Sequence, residues 1–253
     1  MKKISAERRK VLMILASGIL VWAILLFFTF DFTSEAQKAA TARKDQEGTS
    51  EKTDSTNQTI EPVSVIIDAG HGDYDDGLVA EDGSKEKDLT LNLVLKIGKE
   101  LGKMDSNITV LYTRDSDEIH FSSSTKNDET GRINVANNSE ADYFLSIHMA
   151  RDDDTQKTGY SGYTREDDTS SQTLYVDIAK ELTEVGWTPD LGINYVNNEP
   201  VVIANQTERP SLLIEIGFIT NVDEVNELNS EEIQDTLAKA IATGYYNYLK
   251  SLN

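Results

Sequence analysis

The sequence predicts an α/β fold: a three-layer α/β/α domain with a central mostly parallel sheet, preceded by one N-terminal transmembrane helix and a disordered linker. Three observations predict it. From Pro62 onward, short β-branched runs alternate with helical stripes, the pattern of a sheet covered on both faces. Near the start, a basic cluster precedes an unbroken apolar run. Between the two lies a polar stretch that cannot bury enough surface to offset the entropy of ordering.

Lys2, Lys3, Arg8, Arg9 and Lys10 form the basic segment, residues 1–10. The apolar run from Val11 to Phe30 has only Ser17 and Thr29 as polar side chains. At roughly 20 residues it is long enough to cross a bilayer as a helix, and longer than the apolar core of a cleaved signal peptide. The basic flank stays cytoplasmic, so the remainder is exported, held at the cell membrane by an uncleaved signal anchor, or secreted in the alternative that the segment is cleaved near Ser34-Glu35-Ala36. Residues 31–61 read as a flexible tether rich in Thr, Ser, Gln and charged side chains. Residues 62–253 are the folded domain.

Within that domain, Val63-Ser64-Val65-Ile66-Ile67 is a buried strand that runs into the turn Asp68-Ala69-Gly70-His71-Gly72. Residues 86–103 are helical, with Leu89, Leu93, Ile97 and Leu101 on one stripe. A strand follows from Ile108 to Tyr112, a helix over 126–138, and a strand from Tyr143 to Ile147. Residues 160–164 read as another strand. Leu174, Ile178, Leu182 and Val185 mark a helix that stops at Gly186. Residues 187–200, with Trp187 and Tyr195, read as a loop that walls a cleft. Val201–Ala204 and Ser211–Glu215 read as strands. The last helix, from about Ser230 to Leu249, carries Ile233, Leu237, Ile241, Tyr245 and Tyr248 on one side. Asn229 and Glu232 have capping-box spacing at its start.

The chain of 253 residues has no cysteine and a formal net charge of -20. Disulfides and a cysteine-ligated metal are excluded, so any metal is held by His, Asp or Glu. The acidity excludes nucleic acid as a partner, because phosphates are repelled. Of the three histidines, His71 and His148 each sit at the carboxyl end of a predicted strand, where open α/β sheets bind ligands. Glu215 ends a third apolar strand. Glu86 opens the first helix, three residues before Leu89 and seven before Leu93, and so faces the sheet. Two histidines and one carboxylate are a catalytic zinc donor set, and a second carboxylate serves as general base. Taken singly, the same residues have plainer readings: a loop histidine, a helix N-terminal charge, half of a buried ion pair. His120, in a polar loop with Asp115, Asp117 and Glu118, reads as a surface histidine.

Taken together, the motifs resemble the zinc-dependent N-acetylmuramoyl-L-alanine amidases of the amidase_3 type. The resemblance runs through residues 63–250. It rests on Ile67-Asp68-Ala69-Gly70-His71-Gly72-Asp73 with Gly77, on Glu86-Lys87-Asp88-Leu89, and on Thr113-Arg114-Asp115. It continues through Arg132 with Ala136-Asn137, Ser146-Ile147-His148, and Pro210-Ser211-Leu212-Leu213-Ile214-Glu215-Ile216-Gly217-Phe218-Ile219-Thr220-Asn221. It implies zinc ligands His71, Glu86 and His148, a catalytic Glu215, and peptidoglycan as substrate, cut between N-acetylmuramic acid and L-alanine. Arg114 and Arg132 match family positions and are expected to pair with buried carboxylates or chain ends. Where the family often follows its third ligand with Ala-Asn or a similar polar pair, this chain has Met149-Ala150-Arg151, so a substrate contact is either lost or replaced, with Arg151 the candidate replacement. Two other readings stand beside this one: a zinc peptidase acting on stem peptides, and a non-catalytic wall-binding module.

Overall fold

Strands and helices alternate as the periodicity requires. The computed structural model describes residues 60–121, 125–196 and 209–253. The membrane-spanning helix expected at 11–30, nearly all of the linker and the strand expected at Val201–Ala204 lie outside them. Among the described residues no helix is long and apolar enough to cross a membrane.

In chain order the elements are β1 (Val63–Ala69), α1 (Glu86–Met104), β2 (Ile108–Tyr112), α2 (Thr125–Asn138), β3 (Tyr143–Ala150) and β4 (Tyr160–Thr164). They continue with α3 (Thr169–Glu184), β5 (Asp190–Tyr195), β6 (Ser211–Phe218), α4 (Val222–Leu228) and α5 (Glu231–Ser251). The sheet has the order β2-β1-β3-β6-β4-β5. Strands β2, β1, β3 and β6 are parallel, β4 runs antiparallel to β6, and β5 is parallel to β4. The chain leaves β1 to one side to make β2, then crosses back to make β3 on the other. The carboxyl ends of β1 and β3 therefore flank a topological switch point, the usual crevice for a ligand in such sheets.

Period-two alternation divides the strands between two cores. Val65, Ile67, Leu145, Ile147, Leu212 and Ile214 point into the larger core, with Leu89, Leu93, Ile97 and Leu101 of α1, Leu174 and Ile178 of α3, and Leu237, Ile241 and Tyr245 of α5. Ile66, Phe144 and Leu213 point the other way, against Ile133 and Ala136 of α2. By the same alternation Asp68, Ser146, His148 and Glu215 share the α2 face, beyond the apolar patch that α2 covers.

Three expectations change. Residues 187–200 are not simply a loop, because Asp190–Tyr195 pairs with β4 as the edge strand β5. Trp187 is committed to the core: its indole nitrogen donates to the Ile216 carbonyl at 2.9 Å. The capping box at Asn229 does not form. Asn229 caps the carboxyl end of α4 and donates to Ser84 Oγ at 2.8 Å, while the N-cap of α5 is Ser230, without a side-chain bond. The short helix α4 is capped at its start by Asn221, whose side chain accepts from the amides of Asp223 and Glu224.

Candidate metal centre

The turn after β1 sets the first donor. His71 has φ +63°, a left-handed conformation that costs a non-glycine residue on the order of 1–3 kcal/mol. Two arginines hold the backbone that bears it. Arg132 donates to Ala69 O at 2.7 Å and to His71 O at 2.5 Å; Arg114 donates to Ala69 O and Gly70 O, each at 3.0 Å. Both are buried; Arg132 pairs with a buried carboxylate as expected, whereas Arg114 binds backbone carbonyls instead. Arg132 also meets Asp68 at 2.7 Å, and Asp68 accepts from Thr113 and Ser146.

Glu86, the first residue of α1, is 1% exposed. Its Oε1 accepts from the Met149 amide at 2.8 Å and its Oε2 from the Leu78 amide at 2.9 Å, which fixes the carboxylate plane. Each oxygen also meets an imidazole. His71 Nε2 lies 3.1 Å from Oε2, and His148 Nδ1 lies 3.1 Å from Oε1. The two rings stand edge to face, 5.0 Å apart. One donor atom from each of His71, Glu86 and His148 falls within 4.8 Å of the others. Glycines make the room. A Cβ on Gly70 would overlap the His148 ring; one on Gly77, at φ +67°, would lie 2.6 Å from the ring of His71.

The chemistry of this set fits a zinc-type cation: two imidazoles and a carboxylate, with a further carboxylate on the far nitrogen of one ring. That further group is Asp75, 2.8 Å from His71 Nδ1. Burial pulls the His71 imidazole toward neutrality, but the Glu86 and Asp75 carboxylates outweigh it and raise its pKa to about 9. Burial pushes Glu86 toward protonation, and the two imidazoles outweigh that, holding its carboxyl far below the usual range. Positive charge is thus favoured at the point where the donors converge.

Glu215 is the register partner of His148 on the adjacent strand, so the two side chains share one face. Tyr163 donates to Glu215 Oε2 at 2.8 Å, and Ser161 Oγ lies 3.5 Å from the same oxygen. Burial raises the Glu215 pKa above the ordinary carboxylate value, more than the Tyr163 hydrogen bond and His148 lower it. The four residues singled out in the sequence therefore meet at one rim. His120 does not join them; its side chain is 85% exposed. Arg151 lies exposed at the start of the loop after β3.

Three participants escaped the sequence reading. Asp75 carried one signal, its place four residues after His71 in the same glycine-flanked loop. Asp68 lay inside the quoted motif without an assigned partner. Tyr163 carried none, because its approach to Glu215 follows only from the antiparallel pairing of β4 with β6.

Known proteins resemble the chain in both sequence and fold. Residues 65–247 match the Amidase_3 family model, described as N-acetylmuramoyl-L-alanine amidase. The N-acetylmuramoyl-L-alanine amidase CwlM of Bacillus licheniformis is 34% identical over 183 residues, covering 72% of this chain and 67% of that protein. The crystal structure of an N-acetylmuramoyl-L-alanine amidase from Clostridium difficile 630 aligns with TM-score 0.65 at 30% identity, over 76% of this chain and 100% of that one. The CwlD amidase of Clostridioides difficile, solved in complex with the GerS lipoprotein, aligns with TM-score 0.67 at 28% identity, over 76% and 100%. The stem-peptide peptidase and the non-catalytic module give way to this match: the chain belongs to the Amidase_3 family of N-acetylmuramoyl-L-alanine amidases and is a peptidoglycan hydrolase.

Proposed function

We propose that His71, Glu86 and His148 hold one zinc ion, and that Glu215 is the general base that cleaves the amide between N-acetylmuramic acid and L-alanine. The observation that carries this is the convergence of three donor atoms within 4.8 Å, beside the half-buried carboxylate of Glu215, which pairs with no lysine or arginine among the described residues. Bound zinc would supply Lewis acidity toward the scissile carbonyl and the attacking water. Glu215 takes the proton of that water and returns it to the departing L-alanine nitrogen. Its raised proton affinity suits both transfers, since the group must accept and then release within one turnover. Asp75 accepts from His71 Nδ1, which leaves Nε2 as the nitrogen that would hold the metal once its own proton is displaced.

The same reading assigns residues 1–10 to the cytoplasm, 11–30 to a membrane anchor, 31–61 to a tether and 62–253 to the catalytic domain outside the membrane. The basic start and the apolar run support it, as does a substrate that lies outside the cytoplasm. Digestion of purified wall tests the activity. New L-alanine amino termini are expected, lost on chelation and restored by zinc. New termini at another stem-peptide residue, or digestion undiminished after the metal is removed, would refute the proposal.

A further inference from the structure

The α2 face of the sheet holds two carboxylates in contrasting company, Asp68 buried and Glu215 half-buried. Asp68 is bound by the Arg132 guanidinium and by the hydroxyls of Thr113 and Ser146, so its charge is neutralised and both oxygens are occupied. Glu215 has hydroxyl partners only. Among the described residues no lysine or arginine lies within ion-pair distance of it, and both hydroxyl contacts fall on one oxygen, Oε2. The shorter of the two, at 2.8 Å, comes from Tyr163.

The position of Tyr163 follows from the topology. In the antiparallel pairing of β4 with β6, Ser161 stands opposite Glu215 and Tyr163 opposite Leu213. Residues two apart on a strand share a face, so Tyr163 lies on the Glu215 side, one step back toward the core. Its ring packs against the smaller core of Ile66, Phe144 and Leu213, and the phenol oxygen reaches forward to the carboxylate. A rigid ring anchored in a core places a donor with little freedom to swing away. A carboxylate held at one oxygen keeps the other for proton transfer. A phenol donor orients the carboxylate without an ion pair, which would weaken it as a base.

Building on the assignment of Glu215 as the base, we propose that Tyr163 is its positioning residue: the phenol O–H fixes Oε2, so that Oε1 is presented to the reacting water. Tyr163 touches neither the metal donors nor, on this account, the substrate. It acts through Glu215 alone, and removing it should matter only while a carboxylate stands at 215.

Three variants of the full-length chain test this: Tyr163→Phe, Glu215→Gln, and both together. The readouts are kcat and KM on purified peptidoglycan, zinc content and thermal midpoint. Tyr163→Phe is expected to lower kcat about tenfold, a fraction of what a general base contributes, with KM, zinc content and midpoint unchanged. In the Glu215→Gln background the same substitution is expected to change nothing further, the non-additivity of residues that act as a unit. Wild-type kcat in Tyr163→Phe would overturn the proposal. So would an equal loss in both backgrounds, which makes Tyr163 independent of Glu215. A Tyr163→Phe chain that loses zinc or melts markedly earlier also overturns it, by assigning the hydroxyl to the fold. Full turnover in Glu215→Gln would instead overturn the general-base assignment, separately from Tyr163.

Discussion

At the scale of single residues, Glu86 does two jobs with each oxygen. Each accepts a backbone amide from a different segment, Leu78 in the loop before α1 or Met149 in strand β3, and each also faces one imidazole. A buried carboxylate without those amides would be costly to ionise; with them it is charged and immobile before any cation arrives. This coupling gives zinc binding a pH dependence of known sign. The carboxylates around His71 raise its pKa to about 9, so in the metal-free protein the ring carries a proton at neutral pH. A protonated imidazole cannot ligate, and zinc must displace that proton. Apparent zinc affinity is therefore expected to weaken about tenfold per unit as pH falls below about 9 through this group. Competition with a chelator of known affinity, between about pH 6 and pH 8, measures the slope. A flat profile would contradict the arrangement.

At the scale of elements, the Asp68 network joins β1 to Thr113 after β2, to Ser146 on β3 and to Arg132 on α2. Burial pushes the Asp68 carboxyl up. Arg132, His148 and the two hydroxyls outweigh it and hold the pKa at about 2, against an ordinary 3.8. A depressed carboxylate stabilises the fold above its unfolded pKa and loses that contribution as pH falls toward the folded one. The loss here is about 2 kcal/mol, spread from about pH 4 down to pH 2. Asp68→Asn should lack that segment of the denaturation profile. It should also cost about 3–5 kcal/mol at neutral pH, because Arg132 stays buried without its counter-charge. Urea midpoints across that range check both; parallel profiles for the two proteins would refute them.

The elements also show what the sequence could reveal. Long stripes such as Leu89, Leu93, Ile97 and Leu101 were legible because burial on one helix face repeats with the helix period. The end of β1 just before His71 is legible because its β-branched run stops at glycine. Strands β3 and β6 instead run past the expected ends at Ile147 and Glu215, to Ala150 and Phe218, because apolar residues continue beyond the polar His148 and Glu215. Strand β5 was not legible, since Asp190-Leu191-Gly192-Ile193-Asn194-Tyr195 is an edge strand with most side chains exposed and no clean alternation. The helix α4 is only seven residues long, too short for a period to register. Partnerships across strands, Tyr163 with Glu215 above all, depend on strand order, which no local pattern encodes.

At the scale of the whole molecule, a chain of net charge -20 does not gather on anionic surfaces by electrostatics, so attachment near the substrate must come from elsewhere. The apolar run 11–30 provides it on our reading, and the tether sets how far the catalytic domain reaches. The full chain is expected to sediment with membranes and resist a high-salt wash, while a chain lacking residues 1–30 stays soluble. Retention of the truncated chain on membranes, or release of the full chain by salt, would contradict the anchor. The central claim is a division of labour at one rim of the sheet: three side chains hold the metal and a fourth moves protons. Zinc content by elemental mass spectrometry tests it most directly, on the wild-type chain and on His71→Ala, Glu86→Ala, His148→Ala and Glu215→Gln. About one zinc per chain is expected in the wild type and in Glu215→Gln, with little in the other three. Zinc lost from Glu215→Gln, or kept in full by the three ligand variants, would contradict the account.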